Sequence, residues 1–159
     1  MNGQRSFRLI LCLALCLAVG GITGSVTASE IPTWYAGLVR PSWTPPDWTF
    51  PVVWTTLYVL MGVALWLLWE RALPSAARRW AILMFFVQLA LNAAWPPVFF
   101  SLHQTRPALL IIMVLAGTVA AFIRFAWTSQ RAAAWLMVPY LVWVSYATTL
   151  NAGIVWLNP

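Results

Sequence analysis

From Phe7 to Leu157 the chain is a succession of five long apolar stretches, parted by short polar or proline-rich joints. That pattern fixes the solvent in which it folds. A helix needs about 20 predominantly apolar residues to cross ~30 Å of hydrocarbon, and every stretch here is long enough. Only 8% of the residues are charged and 62% are hydrophobic, whereas a soluble domain charges about a quarter of its residues to make its surface. In hydrocarbon the backbone must bond to itself, which leaves helices or a closed barrel. No stretch alternates with period two, so a barrel strand is excluded. The expectation is an all-α membrane protein, a five-transmembrane-helix bundle forming a single domain over residues 1–159.

The segments read in order as follows. Phe7–Ala28 is the first span. Arg5 and Arg8 precede it and Val26-Thr27-Ala28 ends it like a cleavage site, so a signal peptide is the competing reading of residues 1–28. Gly20 and Gly24 form a small-xxx-small pair suited to close helix approach, read first as packing within the chain. Ser29–Phe50 is a loop, stiffened by Pro41, Pro45 and Pro46 and carrying Trp34, Trp43 and Trp48. Prolines fix φ and lack an N–H, so Pro41–Phe50 cannot run as one regular helix or central strand. The loop reads as a lid at the membrane surface. Thr49–Glu70 is the second span. Arg79–Leu102 is the third, kinked at Pro96-Pro97. Pro107–Thr128 is the fourth, opened by Pro107 at its first position, and Ala132–Leu157 is the fifth, interrupted at Pro139.

The net charge is +6 and all nine basic residues are arginines. They lie between apolar segments, so they set orientation and give no footprint for nucleic acid. Arg5, Arg8, Arg71, Arg78, Arg79, Arg124 and Arg131 fall on the N-terminal side, and only Arg40 and Arg106 on the other. The positive-inside rule then places the N-terminus in the cytoplasm and the first loop and C-terminus opposite. Charge bias of this kind argues for an inner membrane, with an outer membrane as the alternative. Trp66, Trp69, Trp80, Trp127 and Trp135 gather near the arginine-rich side as an interfacial belt.

Three helices carry unusual faces. Trp54, Tyr58 and Met61 share a stripe on the second span, Gln88, Asn92, Trp95 and Phe99 on the third, and Tyr140, Trp143, Ala147 and Asn151 on the fifth. Amides in hydrocarbon are costly unless they meet a partner or a cavity. Trp54, Trp95 and Asn151 lie in the halves of their helices nearest the first loop, and Ala147 leaves space between Trp143 and Asn151. The stripes predict an aromatic-walled pocket with a few polar handles under the Trp/Pro lid. Each stripe alone is also what an ordinary core or interhelical contact looks like. Flat aromatic walls suit a flat, largely apolar ligand such as a tetrapyrrole or sterol.

Machinery for conventional catalysis is thin. Glu30, Asp47 and Glu70 are the carboxylates and none sits mid-membrane; His103 is the sole histidine and lies in a turn. No nucleophile–base pair or metal-ligand cluster can be assembled. Cys12 and Cys16, one turn apart in an apolar run, read as packing residues.

The runs Trp34-Tyr35, PSWTPPDWTFPVVWTTLY after Arg40, LNAAWPPVFF (Leu91–Phe100) and VPYLVWVSYATTLN (Val138–Asn151) resemble the TspO/MBR family over essentially the whole chain. These are the tryptophan-rich sensory proteins and the mitochondrial translocator protein. The resemblance implies a five-helix bundle, commonly a homodimer, that binds porphyrins such as protoporphyrin IX without a required cofactor. By motif it assigns Trp54, Tyr58, Asn92, Trp95, Trp143 and Ala147 to the ligand pocket, with Trp34 and Pro45 in the covering loop. Gln88, Tyr146 and Asn151 complete the candidate ligand-binding set. Some members of the family are reported to degrade protoporphyrin IX in light, which would make Trp54 and Trp143 the catalytic pair. Mitochondrial members end the fifth helix with a sterol-recognition pattern containing Tyr and a following basic residue; Ala147–Asn158 here has neither. The resemblance therefore favours a porphyrin receptor or carrier with a regulatory or stress-sensing role over a sterol transporter.

Overall fold

A computed structural model of the chain describes residues 3–159. It is all helical among those residues, with five helices long and apolar enough to cross a membrane. These are α1 (Gly3–Glu30), α2 (Thr49–Glu70), α3 (Ala76–Pro96, prolonged by a π-helical turn over Pro97–Ser101), α4 (Thr105–Ser129) and α5 (Arg131–Leu157). The chain is a multi-pass integral membrane protein. Around the bundle the neighbours run α1, α2, α5, α4, α3, and the π-turn after α3 closes the ring on α1. The order separates α2 from α3 although only a short connection joins them.

The helix ends follow local chemistry, and three expectations need correcting. The third span begins at Ala76, not Arg79, because Ser75 accepts a hydrogen bond from the Arg78 backbone N–H at 3.1 Å and caps it. The fourth begins at Thr105, which puts Pro107 in the first turn but not at its first position. The fifth is not interrupted. Pro139 sits inside a continuous helix with its ring on the exposed outer face. It removes one i→i−4 bond, but packing on both sides of that turn holds the backbone helical. At Pro96-Pro97, where a kink is expected, the α-helix passes into a π-turn, with Leu102 N–H bonding back to the Pro97 carbonyl at 2.9 Å.

The arginine-rich end is knit by aromatic and ionic contacts. Arg8 lies over Trp69, Arg71 over Trp66 and Arg131 over Trp127 at 5.4–6.0 Å. Arg5 and Arg8 both bond Glu70 at 2.9 Å, tying the foot of α1 to the foot of α2. Arg78 Nε donates to the Leu68 carbonyl at 2.8 Å and staples the α2–α3 connection. The core runs through the middle of the bundle, where Met61, Phe85, Phe122, Met137 and Tyr140 have no solvent exposure. Lipid is as apolar as these side chains, so packing and interhelical hydrogen bonds, not water exclusion, hold this region together. Gly20 allows one such approach. A Cβ there would overlap the Tyr58 ring, so its packing role is within the chain, whereas Gly24 meets nothing.

Candidate functional site

Above that core the bundle is hollow. A cavity of about 470 Å³ lies between the five helices, under the first loop. Its walls come from Trp54 and Tyr58 on α2, Asn92 and Trp95 on α3, and Trp143, Ala147 and Asn151 on α5. All three sequence stripes therefore contribute to one cavity. Leu115 and Ile112 of α4 close the back, and Phe99 and Phe100 of the π-turn form part of the roof.

A polar chain crosses the floor. Thr23 Oγ1 donates to the Val19 carbonyl and meets the Tyr58 hydroxyl at 3.3 Å; Tyr58 in turn donates to Asn92 Oδ1, and Asn92 Nδ2 donates to the Tyr140 hydroxyl at 2.9 Å. Higher up, Trp95 Nε1–H donates to Asn151 Oδ1 at 3.2 Å, and Asn151 Nδ2 donates to the Thr105 carbonyl at 2.9 Å. The amides are thus committed largely to holding α2, α3, α4 and α5 in register. Trp143 differs. Its indole N–H is buried with no acceptor, an arrangement that costs about 1–3 kcal/mol where nothing compensates it. Phe50 stands edge-on to the Trp143 ring at 5.9 Å, and Trp54 is edge-on to Tyr140 at 6.1 Å.

Four candidate residues lie off the cavity wall. Gln88 is one turn deeper, fully buried, with Nε2 on the Met61 sulfur at 3.6 Å and Oε1 unpaired. Trp34 stacks on His103 at 4.3 Å and meets Phe99 edge-on, so it braces the roof from outside. Pro45 lines a separate surface cleft beside Arg40 and Asp47. Tyr146 donates its hydroxyl to the Trp43 carbonyl at 2.6 Å and holds the lid onto α5.

The lid is fastened elsewhere too. The Asn158 side chain accepts from Val39 N–H at 3.1 Å and donates to Val39 C=O at 3.0 Å, a two-bond clasp. Pro41 is buried against Gly153, where a Cβ would collide with the proline ring. The Arg40 guanidinium lies over Tyr35 at 5.4 Å and pairs with Asp47 at 3.3 Å. Burial pushes the Tyr35 phenol up from its ordinary pKa, with Arg40 pulling the other way. Among the described residues, Asp47 is the one charged side chain on the cavity wall.

The stripes did not reveal the contribution of α1. Leu17, Gly21, Gly24 and Ala28 line the cavity and are exposed, as are Pro51 and Thr55 of α2. The cavity therefore opens sideways, through a seam between α1 and α2, into the space hydrocarbon fills. The small residues of this seam are a signal in retrospect, because a wall built from glycine is a gap.

The sequence pattern of the TspO/MBR family matches residues 12–157. The chain is 40% identical over 160 residues to the tryptophan-rich protein TspO of Chlorobaculum tepidum, covering all of both chains. It is 38% identical over 125 residues to the tryptophan-rich sensory protein of Cereibacter sphaeroides, covering 79% of this chain and 77% of that one. It is 41% identical over 119 residues to the human translocator protein, covering 74% and 70%. The family pattern spans the bundle, the lid and the aromatic cavity, and the chain belongs to the TspO/MBR family.

Proposed function

We propose that the protein is a membrane receptor or carrier for a flat, largely apolar tetrapyrrole of the protoporphyrin IX type, bound in the cavity under the first loop. The observation that carries the reading is the cavity itself: about 470 Å³, walled by Trp54, Trp95 and Trp143 and mostly apolar. Pockets of ~300–1,000 Å³ with aromatic walls and a few polar groups are the usual form of a small-molecule site. Ring faces stack on a planar ligand. The seam between α1 and α2 admits an apolar ligand from the bilayer. The N-terminus is assigned to the cytoplasmic side on the arginine bias, with an inner membrane as the location and a homodimer as the assembly.

The test is a titration of purified protein with protoporphyrin IX in darkness, read by quenching of tryptophan fluorescence. Saturable quenching that weakens about tenfold in the Trp54→Phe, Trp143→Phe double variant supports the site: stacking contacts are worth about 1–3 kcal/mol each when truncated to alanine, and phenylalanine keeps the larger part of each. Affinity unchanged in that variant places the ligand elsewhere.

A second reading, light-dependent oxidation of the bound pigment, is favoured by one observation: Trp54 and Trp143 face the same cavity. A bilin-like product formed under illumination with oxygen, and lost in Trp143→Phe, would establish it.

A further inference from the structure

The cavity has a charged annex in the lid. A surface cleft lined by Arg40, Pro41, Thr44, Pro45, Pro46 and Asp47 adjoins it, and Asp47 belongs to both walls. Arg40 occupies the cleft side of that shared wall. Its guanidinium is fixed from one face by the Tyr35 ring, itself a wall of the main cavity. The Arg40–Asp47 pair is loose, 3.3 Å through Nη1 alone, with 38% and 54% of the two side chains exposed. Arginine offers five N–H donors in a planar fork that fits a carboxylate bidentately. An exposed monodentate pair contributes little, so exchanging its acid partner costs little.

Resting on the ligand reading above, we infer that Arg40 anchors an anionic group of the ligand, a carboxylate that reaches past Asp47 into the cleft while the apolar plane stays in the cavity. Asp47 occupies the anchor when no acid is bound and yields it when one is. The arrangement makes the site selective for flat apolar molecules bearing an acidic edge. It separates two jobs. The cavity, neutral apart from Asp47, selects shape; the lid arginine selects charge. The prolines at 41, 45 and 46 suit this role, because a stiff loop holds the arginine in place before the ligand arrives. Carboxylates of this class ionise at about 4–4.5 and are anionic at neutral pH.

The experiment compares protoporphyrin IX with its dimethyl ester, in the full chain, in darkness, by tryptophan quenching. The two partition differently into detergent, so the reading is the change in their affinity ratio on mutation. Arg40→Gln should lower the diacid-to-diester ratio about tenfold, as loss of a hydrogen bond to a charged group does. Asp47→Asn, which removes the competitor, should raise it. Added salt should weaken the diacid and leave the diester alone. A ratio unchanged in Arg40→Gln, with the diester still bound, overturns the anchor and leaves the cavity reading intact. Should Arg40→Gln lose the diester too, Asp47→Asn decides, and an unchanged ratio there overturns the anchor. Binding of neither ligand by the unmutated protein overturns both.

Discussion

The first loop joins α1 to α2 and so bridges the seam at its lid end, and release of the ligand through that seam should be governed by how firmly the loop is fastened. Three hydrogen bonds hold the loop to α5: two between Asn158 and Val39, and one from Tyr146 to the Trp43 carbonyl. Each nets about 0.5–1.5 kcal/mol, and at a partly wetted rim the lower value applies, so the set contributes about 1.5 kcal/mol. Removing all three in Asn158→Ala, Tyr146→Phe should therefore speed dissociation roughly tenfold, since ~1.4 kcal/mol is a factor of ten in rate. Asn158 also donates to the Ile154 carbonyl at 2.9 Å, so its substitution frays the last turn of α5. Tyr146→Phe alone leaves α5 whole and should give about a third of the free-energy change, a twofold to threefold effect. The assay is stopped-flow dissociation of bound protoporphyrin IX into excess empty vesicles. An off-rate in the double variant within twofold of the unmutated protein would refute the reasoning, because the ligand would then be leaving without moving the lid.

Further outcomes can be checked on the same material. Asn92→Ala breaks the link between Tyr58 and Tyr140 and should cost about 1–2 kcal/mol, seen as a lower midpoint of thermal unfolding in detergent; Tyr58→Phe should cost about 0.6 kcal/mol, the average for such bonds in membrane bundles. Gly20→Val puts a branched side chain where the Tyr58 ring lies, so it should tilt that ring into the cavity and lower porphyrin affinity. Gly24→Ala meets nothing and should leave stability unchanged. Glu70→Gln releases Arg5 and Arg8 and should loosen the foot of α1, measured as faster hydrogen exchange over residues 5–12 and no change in ligand affinity.

Much of the architecture was legible because hydrocarbon leaves so few choices. Apolar length gave the spans, and α2 runs from Thr49 to Glu70 as read. The pocket was legible wherever its wall is made of side chains whose presence in lipid needs a reason, as with Trp54, Asn92, Trp95, Trp143 and Asn151. Two kinds of information were not. The first is the share of α1: its Gly20–Gly24 pair reads as a place for a helix to pack, whereas Gly20, Gly21 and Gly24 border the cavity, and spacing alone does not tell a packing face from a gap. The second is the division of labour among residues of one chemical type. Trp34 and Tyr146 are as aromatic as Trp143, yet one braces a histidine and the other clasps the lid. That distinction depends on the path of the loop between Ile31 and Trp48, which its prolines make irregular. Pro139 misled for a related reason. The rule that proline breaks helices is calibrated on helices in water, and here its ring faces outward from a helix supported on its inner side.

The sideways seam between α1 and α2 changes what an affinity for this protein means. A ligand entering there is drawn from the membrane phase, so occupancy follows its mole fraction among the surrounding lipids and not its concentration in the buffer. Two laboratories using different amounts of detergent would record different dissociation constants for one and the same site, and the values would agree once divided by the volume of micelle or bilayer. In a cell, a pigment too insoluble to circulate could still fill the pocket, provided it were made in or delivered to the same sheet of lipid.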